Sequence, residues 1–426
     1  MEISKAHNLI ASCIRQGSYL GLDRMRCLMA YLGNPQDKLK YVHVAGTNGK
    51  GSTASMLSSV LRVAGLRTGL YTSPALCSFN ERMRVNGAPI GDRELEHIAK
   101  KVEAAAKKLP DDGHEYPSEF EFVTAMAFLW FYEQNCEIVV LEVGLGGRLD
   151  ATNIIKTPLA SVICAIGLDH TAELGSTHAQ IAAEKAEIIK GGYTVSFGGE
   201  EEADAVIAKK CKEVGSVLIS PDFKRITLYE STIDGQKFSY NSDETYKIRL
   251  LGEHQLKNAA VVLETVGALR LSGLKIDENA VKEGLEKAVW HARLEVISKD
   301  PIVLLDGAHN PHGIRALANS LGNISDRWIF MCGILADKSY GEMLEIISPL
   351  AAEFITSDVP SPRSLKSSAL ADIIMNAGYK ATDGGEVEDA VATALQKQKE
   401  TGLPLCIFGS LYMAGTVLGY FKIEGV

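Results

Sequence analysis

Between Val42 and Met56 the chain reads VHVAGTNGKGSTASM, a glycine-rich turn set between an apolar run and a helical one. Gly46, Gly49 and Gly51 let the backbone approach a polyanion with no Cβ in the way. Successive N–H groups there, at the start of a helix, form a nest for phosphate. Lys50 supplies a point charge, and Ser52 or Thr53 a hydroxyl for a magnesium ion. The loop departs from the common G-x-x-x-x-G-K-[ST] pattern: Val44 stands where the first glycine would be, and Gly51 separates Lys50 from Ser52. The plain alternative is a tight turn beside a solvated lysine.

Three further stretches carry groups able to act on a nucleotide. VVLEVGLGGRLDATN puts Glu142 at the end of an apolar run, where a strand-end carboxylate can hold the magnesium of a bound nucleotide. Gly144, Gly146 and Gly147 then permit a close approach by a second ligand. GLDHTAELG places His170 at the end of another apolar run, either as a metal ligand or as a satisfied loop residue. In THAQIAAEKAEIIK, Lys185 falls on the apolar stripe of Ile181 and Ile188, with Glu184 and Glu187 largely off it. A buried ammonium either snorkels to a rim or is held for chemistry. In the second case its lowered pKa makes it a nucleophile toward CO₂, and the carbamate is an anion able to bridge a metal.

The elements that must hold these groups alternate in α/β fashion. Strands are expected at 40–45, 67–73, 137–143, 160–167 and 193–198, with a helix beginning at Ser52 and closed by Gly65. Residues 224–250 alternate apolar and polar around Asp234-Gly235, which predicts antiparallel hairpins. Helices follow at 254–272 and 277–288. A second α/β series starts beyond 290–294 with PIVLLDG, RWIFMCGI, EFITSDV and PLCIFGS.

At 426 residues the chain exceeds what one core usually serves, so two domains are expected, 1–295 and 296–426. The net charge of -9 argues against a general nucleic-acid binder but leaves anionic small substrates open. The eight cysteines form no CxxC pair, which suggests reduced thiols without a zinc knot or disulfide framework. No run approaches the ~20 apolar residues of a membrane span. MEISKAHNLIASCIRQG lacks a leader's apolar core, so a cytoplasmic protein is expected.

GTNGKGS, the SPALCSFNERMRVNG loop, EVGLGGRLDATN, LDH and AEKAEIIK, taken together, resemble the folylpolyglutamate synthase/dihydrofolate synthase family of the Mur-ligase superfamily. GEHQLKNAA, ARLE, LLDGAHNP, ADKSY and FGSLYMAG extend the resemblance over nearly the whole chain. It implies a P-loop NTPase-like N-terminal domain, with a parallel sheet and a small antiparallel sheet, and a Rossmann-like α/β C-terminal domain. It further implies ATP-dependent addition of L-glutamate to folates, and to 7,8-dihydropteroate, through an acyl phosphate. The narrower alternatives are a folylpolyglutamate synthase alone or another amino-acid ligase of this type. A UDP-sugar ligase is disfavoured because only about 40 residues precede the loop. A non-enzymatic nucleotide switch would have no use for Glu142, His170 and Lys185.

Roles follow from the resemblance position by position. Gly46, Thr47, Asn48, Gly49, Lys50, Gly51 and Ser52 match the ATP phosphate loop, with Asn258, Arg293 and Asp306 as further ATP contacts. Ser73, Glu142 and His170 match Mg²⁺ ligands, and Lys185 a lysine carbamylated in relatives. Lys50, Glu142, His170 and Lys185 would carry the catalysis. Phe120, Glu121, Leu149, Asp150 and Ala151 match positions near the pterin, and His309 and Ser410 stand in motifs near the active-site cleft. Relatives often read Thr-x-Phe-Glu at 118–121 and Pro-Gly-Arg at 291–293, where this chain has Ser118 and His291-Ala292. The implied partners are small molecules only, with no nucleic acid or membrane, and the chain is expected to be a monomer.

Overall fold

The computed structural model describes residues 21–422 together with 9, 10 and 13; the stretch 1–17, expected to lack a leader, lies almost wholly outside them. The chain forms two compact units. One comprises residues up to Ala75, Asn80–Arg225 and Asn258–Ala288; the other comprises Leu76–Phe79, Ile226–Lys257 and residues from Val289 on.

In the first unit, α1 (Asp23–Tyr31) leads to β1 (Tyr41–Ala45), α2 (Lys50–Val63) and β2 (Thr68–Tyr71). Next come β3 (Met83–Val85), β4 (Ala88–Pro89), α3 (Asp92–Ala106), α4 (Glu119–Glu133) and β5 (Ile138–Glu142). β6 (Ala160–Ile163), α5 (Thr171–Leu174), α6 (His178–Ala186), β7 (Tyr193–Ser196), α7 (Glu201–Val214) and β8 (Val217–Ile219) complete the series. The eight strands form one sheet in the order β4-β3-β2-β5-β1-β6-β7-β8, parallel from β2 to β8. β1 and β5 are buried along their whole length, which is why both read as continuous apolar runs. β2, β5, β1 and β6 are consecutive neighbours and parallel, so their C-terminal ends share one edge. The residues that follow or end them are Ser73, Glu142, Gly46 and the 164–170 loop.

The second unit holds β9 (Ile226–Thr232), β10 (Gly235–Tyr240) and β11 (Thr245–Ile248) as an antiparallel sheet, which clusters here although it precedes residue 296 in the chain. α8 (Glu253–Leu271) begins in this unit and continues into the first, where α9 (Glu278–Lys287) also lies. β12 (Glu295–Lys299), β13 (Ile302–Leu305), α10 (Pro311–Gly322), β14 (Trp328–Cys332), α11 (Tyr340–Ile347) and β15 (Ala351–Thr356) come next. The chain ends with α12 (Ser367–Asn376), β16 (Ala381–Asp383), α13 (Val387–Thr401), β17 (Leu405–Phe408) and α14 (Leu411–Tyr420). The sheet order is β12-β13-β17-β14-β15-β16, with only β12 antiparallel. Phe330 anchors its core, with ring centroids 5.5 Å from both Phe354 and Phe408. Parallel-dominated α/β sheets with a small antiparallel sheet are the fold class the pattern predicts.

Three local expectations need correction. The strand expected over 160–167 stops at Ile163, because Ala165 turns its carbonyl to the N–H groups of Thr47 and Asn48 at 2.9 and 3.2 Å. The helix expected over 177–190 ends at Ala186, and Ile188 and Ile189 are reached through tighter bonds to Lys185 and Ala186. The end of the 73–87 stretch, expected as loop, instead forms β3 and the turn of the β3–β4 hairpin on Asn86 and Gly87, both at positive φ.

Candidate active site

The glycine-rich loop is fixed by what it leans on. Gly49 caps α2 in the left-handed region, and a Cβ there would sit 2.7 Å from Asn258 Oδ1. The Thr47 hydroxyl donates to the Gly167 carbonyl at 3.0 Å. Lys50 folds back and donates from Nζ to the carbonyls of Gly46 and Thr47, at 3.1 and 3.3 Å. Of the two hydroxyls the sequence offers for a metal, that of Thr53 accepts from Cys164 Sγ.

Lys185 approaches the same loop from α6. It is 4% exposed, with Ile181, Ala182, Ile188 and Ile189 buried around it, as the helical stripe predicts. Its Nζ donates to the Gly46 carbonyl at 2.9 Å. Burial, and then the Lys50 charge, push this amine down to about 7 against the opposite pull of Asp169 and Asp150. Asp169, adjacent to His170, is a charge the sequence reading passed over. His170 itself is exposed, in the left-handed region at the end of the loop after β6.

Glu142 ends β5 with 4% exposure, and its Oε2 accepts the Ser73 N–H at 3.2 Å. Two of the expected metal-site residues therefore touch directly. Two of the glycines that follow are needed by the protein's own packing. A Cβ on Gly147 would lie 2.6 Å from the Glu184 carbonyl and 3.0 Å from Lys185 Cα. A Cβ on Gly144 would lie 2.4 Å from Phe120 Cζ. Both let the turn press closely on α6 and α4. The Arg148 N–H and guanidinium bind Glu184, which ties the turn to the Lys185 helix at two points.

Around that turn, Asp150 accepts four hydrogen bonds, from the N–H groups of Gly144, Leu145 and Thr152 and from the Thr152 hydroxyl. Burial nevertheless pushes its carboxyl up. Leu149 is half-buried beside it and Ala151 buried. Phe120 lies between the Tyr71 ring at 6.2 Å and the Arg82 guanidinium at 5.8 Å. Glu121, expected near the pterin, is 6% exposed and occupied within the protein. Arg24 of α1 binds it with both Nε and Nη2, and the Ser118 N–H and hydroxyl complete its shell. Ser118, where relatives often have Thr, caps α4 through the Glu121 N–H, a role either hydroxyl fills.

In the second unit, the Asp306 carboxylate accepts the N–H groups of Leu294 and Ala308 at 2.6 and 2.7 Å. Burial pushes it up while the Arg293 charge pulls it down. Arg293 donates to the Ala292 carbonyl, and His309 Nδ1 lies 2.8 Å from the Gly307 carbonyl. Ser410 caps α14 through the Tyr412 N–H. Burial, and then Arg293, push His254 down to about 4. Arg293 and Asp306, expected to contact ATP, and His309 and Ser410, expected near the active-site cleft, thus all belong to the second unit, while the residues expected at the phosphates, the metal and the pterin belong to the first.

A model of the Mur ligase middle domain matches residues 44–266, and one of the Mur ligase glutamate ligase domain matches 292–411. The chain is 36% identical over 409 residues to a folylpolyglutamate synthase of Lacticaseibacillus casei, covering 92% of each chain. It is 35% identical over 424 residues to a dihydrofolate synthase/folylpolyglutamate synthase of Bacillus subtilis (strain 168), covering 97% of each. A solved Mycobacterium tuberculosis folylpolyglutamate synthase complexed with ADP and AMPPCP superposes with a TM-score of 0.87 at 30% identity, over 95% of this chain and 96% of that one. A folylpolyglutamate synthase complex with AMPPCP and folate does so at 0.85 and 33%, over 99% of each. With likeness of this extent in sequence and in structure, the chain belongs to the folylpolyglutamate synthase/dihydrofolate synthase family of Mur ligases.

Proposed function

We propose that this chain is an ATP-dependent ligase that joins L-glutamate to the carboxylate of reduced folates and of 7,8-dihydropteroate. A carboxylate is a poor acylating agent, so the γ-phosphate of ATP first converts it to an acyl phosphate. The glutamate amine then attacks the carbonyl carbon and phosphate leaves. One observation carries this reading. Four adjacent parallel strands end on one edge with a phosphate nest, a buried carboxylate and, against the same loop, a buried lysine held toward neutrality.

Each group has a task in that sequence. Lys50 and the loop N–H groups stabilise the charge that develops on the transferred phosphoryl group. Ser73, Glu142 and His170 are the residues that would hold magnesium; Ser73 and the buried carboxylate of Glu142, already in contact, supply the oxygen donors that suit this hard cation, and His170 would add a ring nitrogen. Bound there, the metal supplies charge neutralisation on phosphate and activated carboxylate. We propose Lys185 as a carbamylated lysine, since CO₂ adds only to the neutral amine, and burial favours that form. Phe120, Asp150 and the Leu149–Ala151 turn would face the pterin. Asn258, Arg293 and Asp306 would take the remaining contacts to ATP, and His309 and Ser410 those to the amino-acid side. The division proposed at residue 296 is supported by the ligase-domain match from 292 on.

The deciding measurement is ADP release with ATP, Mg²⁺ and L-glutamate, offering 7,8-dihydropteroate in one reaction and tetrahydrofolate in another. Turnover of both is expected. Turnover of tetrahydrofolate alone narrows the activity to polyglutamylation, and turnover of neither overturns the proposal.

A further inference from the structure

His43 lies in the middle of β1, fully buried, and its Nε2 is 2.9 Å from the Thr152 hydroxyl. Thr152 has one hydroxyl proton, and at 2.5 Å that proton goes to Asp150 Oδ1. Both Asp150 oxygens also receive backbone N–H groups, Thr152 on one and Gly144 and Leu145 on the other. A carboxyl facing only donors is arranged as the ionised acceptor. Counting protons outward from it, the His43–Thr152 bond must be His43 Nε2–H donating to the hydroxyl oxygen. Nδ1 is then the bare nitrogen, and it is the ring atom buried without a hydrogen-bond partner. An unsatisfied lone pair is tolerated more readily than an unsatisfied N–H, so this tautomer also agrees with the packing. Burial pushes the imidazole down to about 3, which keeps it neutral at any working pH.

We propose that His43 is a positioning residue for the folate site. By donating to Thr152 it fixes the Asp150 carboxylate, and with it the turn from Gly144 to Thr152. This rests on the reading above that the turn faces the pterin. Nothing else in β1 requires a polar residue here: Tyr41, Val42, Val44 and Ala45 are buried without a comparable relay. A leucine would pack against the same neighbours, so the donor itself calls for an account. Through Thr152 it reaches a carboxylate 107 positions further along the chain, on a turn that has no regular hydrogen-bond ladder of its own.

The test is steady-state kinetics of the full chain with tetrahydrofolate and ATP varied in turn, for His43→Leu, His43→Gln and Thr152→Val. Glutamine keeps a donor at the position of Nε2, leucine keeps only bulk, and valine cuts the relay at its middle. Loss of one such hydrogen bond is expected to raise KM for the folate about tenfold in His43→Leu and Thr152→Val. KM for ATP stays within about twofold, His43→Gln stays close to wild type, and the Leu/Val double variant is no worse than either single one. If His43→Leu does not fold, Thr152→Val and its rescue by Thr152→Ser carry the same comparison. Equal effects on both KM values, or a glutamine variant as poor as the leucine one, overturn the inference alone. A wild type that turns over no folate overturns both it and the functional reading beneath it.

Discussion

The Nζ of Lys185 donates to the carbonyl of Gly46 at 2.9 Å, and the Nζ of Lys50 reaches the same oxygen at 3.1 Å. Two lysines from distant parts of the chain thus converge on one peptide group of the phosphate loop. The Lys50 charge is one cause of the depressed pKa of Lys185. The residue proposed to bind phosphate therefore also helps hold its neighbour toward the neutral amine.

If the Lys185 amine carries a carbamate, Lys185→Ala abolishes most glutamate addition while ATP still binds. A short carboxylic acid supplied in solution restores part of the activity by taking the place of the missing anion. ¹³C-bicarbonate labelling checks the adduct directly: the wild type shows a carbamate resonance that Lys185→Ala lacks. Failure of every acid to rescue, together with absence of the resonance, rejects the adduct and leaves Lys185 as an amine donor to Gly46.

The same amine makes a stability prediction whose sign is fixed. Its folded-state pKa is about 7, below the usual 10.5. Below pH 7 both folded and unfolded chains carry the proton, and the penalty of burying the charge is fully present. Between pH 7 and 10.5 the unfolded chain holds more protons than the folded one, so stability rises with pH. Lys185→Met removes the penalty. In carbonate-free buffer its advantage over wild type in urea unfolding should shrink by about 2 to 3 kcal/mol between pH 7 and pH 9. An advantage independent of pH refutes the lowered pKa.

How much of this could be read beforehand depends on the range of the signal. β1 and β5 lie within a residue of their expected ends, because strands buried on both faces are apolar throughout. Lys185 is visible for a local reason, a cation on an otherwise apolar helical stripe. Arg24 offers the same signal beside Met25 and Leu28, but its partner Glu121 is 97 positions away and no spacing points to it. His43 is a buried polar residue whose meaning appears only with Thr152, 109 positions on. Asn86-Gly87 suits a hairpin turn, but the stretch reads as loop, because strands as short as β3 and β4 show no alternation.

Arg24 and Glu121 form a bidentate pair with both side chains nearly excluded from solvent. Removing one partner strands the other charge, so Arg24→Met is expected to cost about 3 to 5 kcal/mol. Adding Glu121→Gln should recover part of that loss, because the uncompensated carboxylate disappears. Urea midpoints of the two single variants and the double one give the coupling directly, and strict additivity would show that the pair is not energetically linked.

Two glycines test whether close approach or chain flexibility governs the helices around the site. Gly267, inside α8, has open space where a Cβ would go and ordinary helical φ. Alanine there only reduces the freedom of the unfolded chain, and should stabilise by about 0.5 to 1 kcal/mol. Gly147 is the opposite case. Its Cβ would meet the Glu184 carbonyl and Lys185 Cα, both backbone, and neither can rotate away. Gly147→Ala must push the 144–152 turn off α6, which is expected to cost about 1 to 3 kcal/mol. Because Arg148 ties the same turn to Glu184, the displacement reaches Lys185 and Asp150 together. Activity should therefore fall in Gly147→Ala well beyond what its stability predicts, and stay at wild-type level in Gly267→Ala. A Gly147→Ala protein that keeps full activity at a temperature where it remains folded would separate the turn from the chemistry.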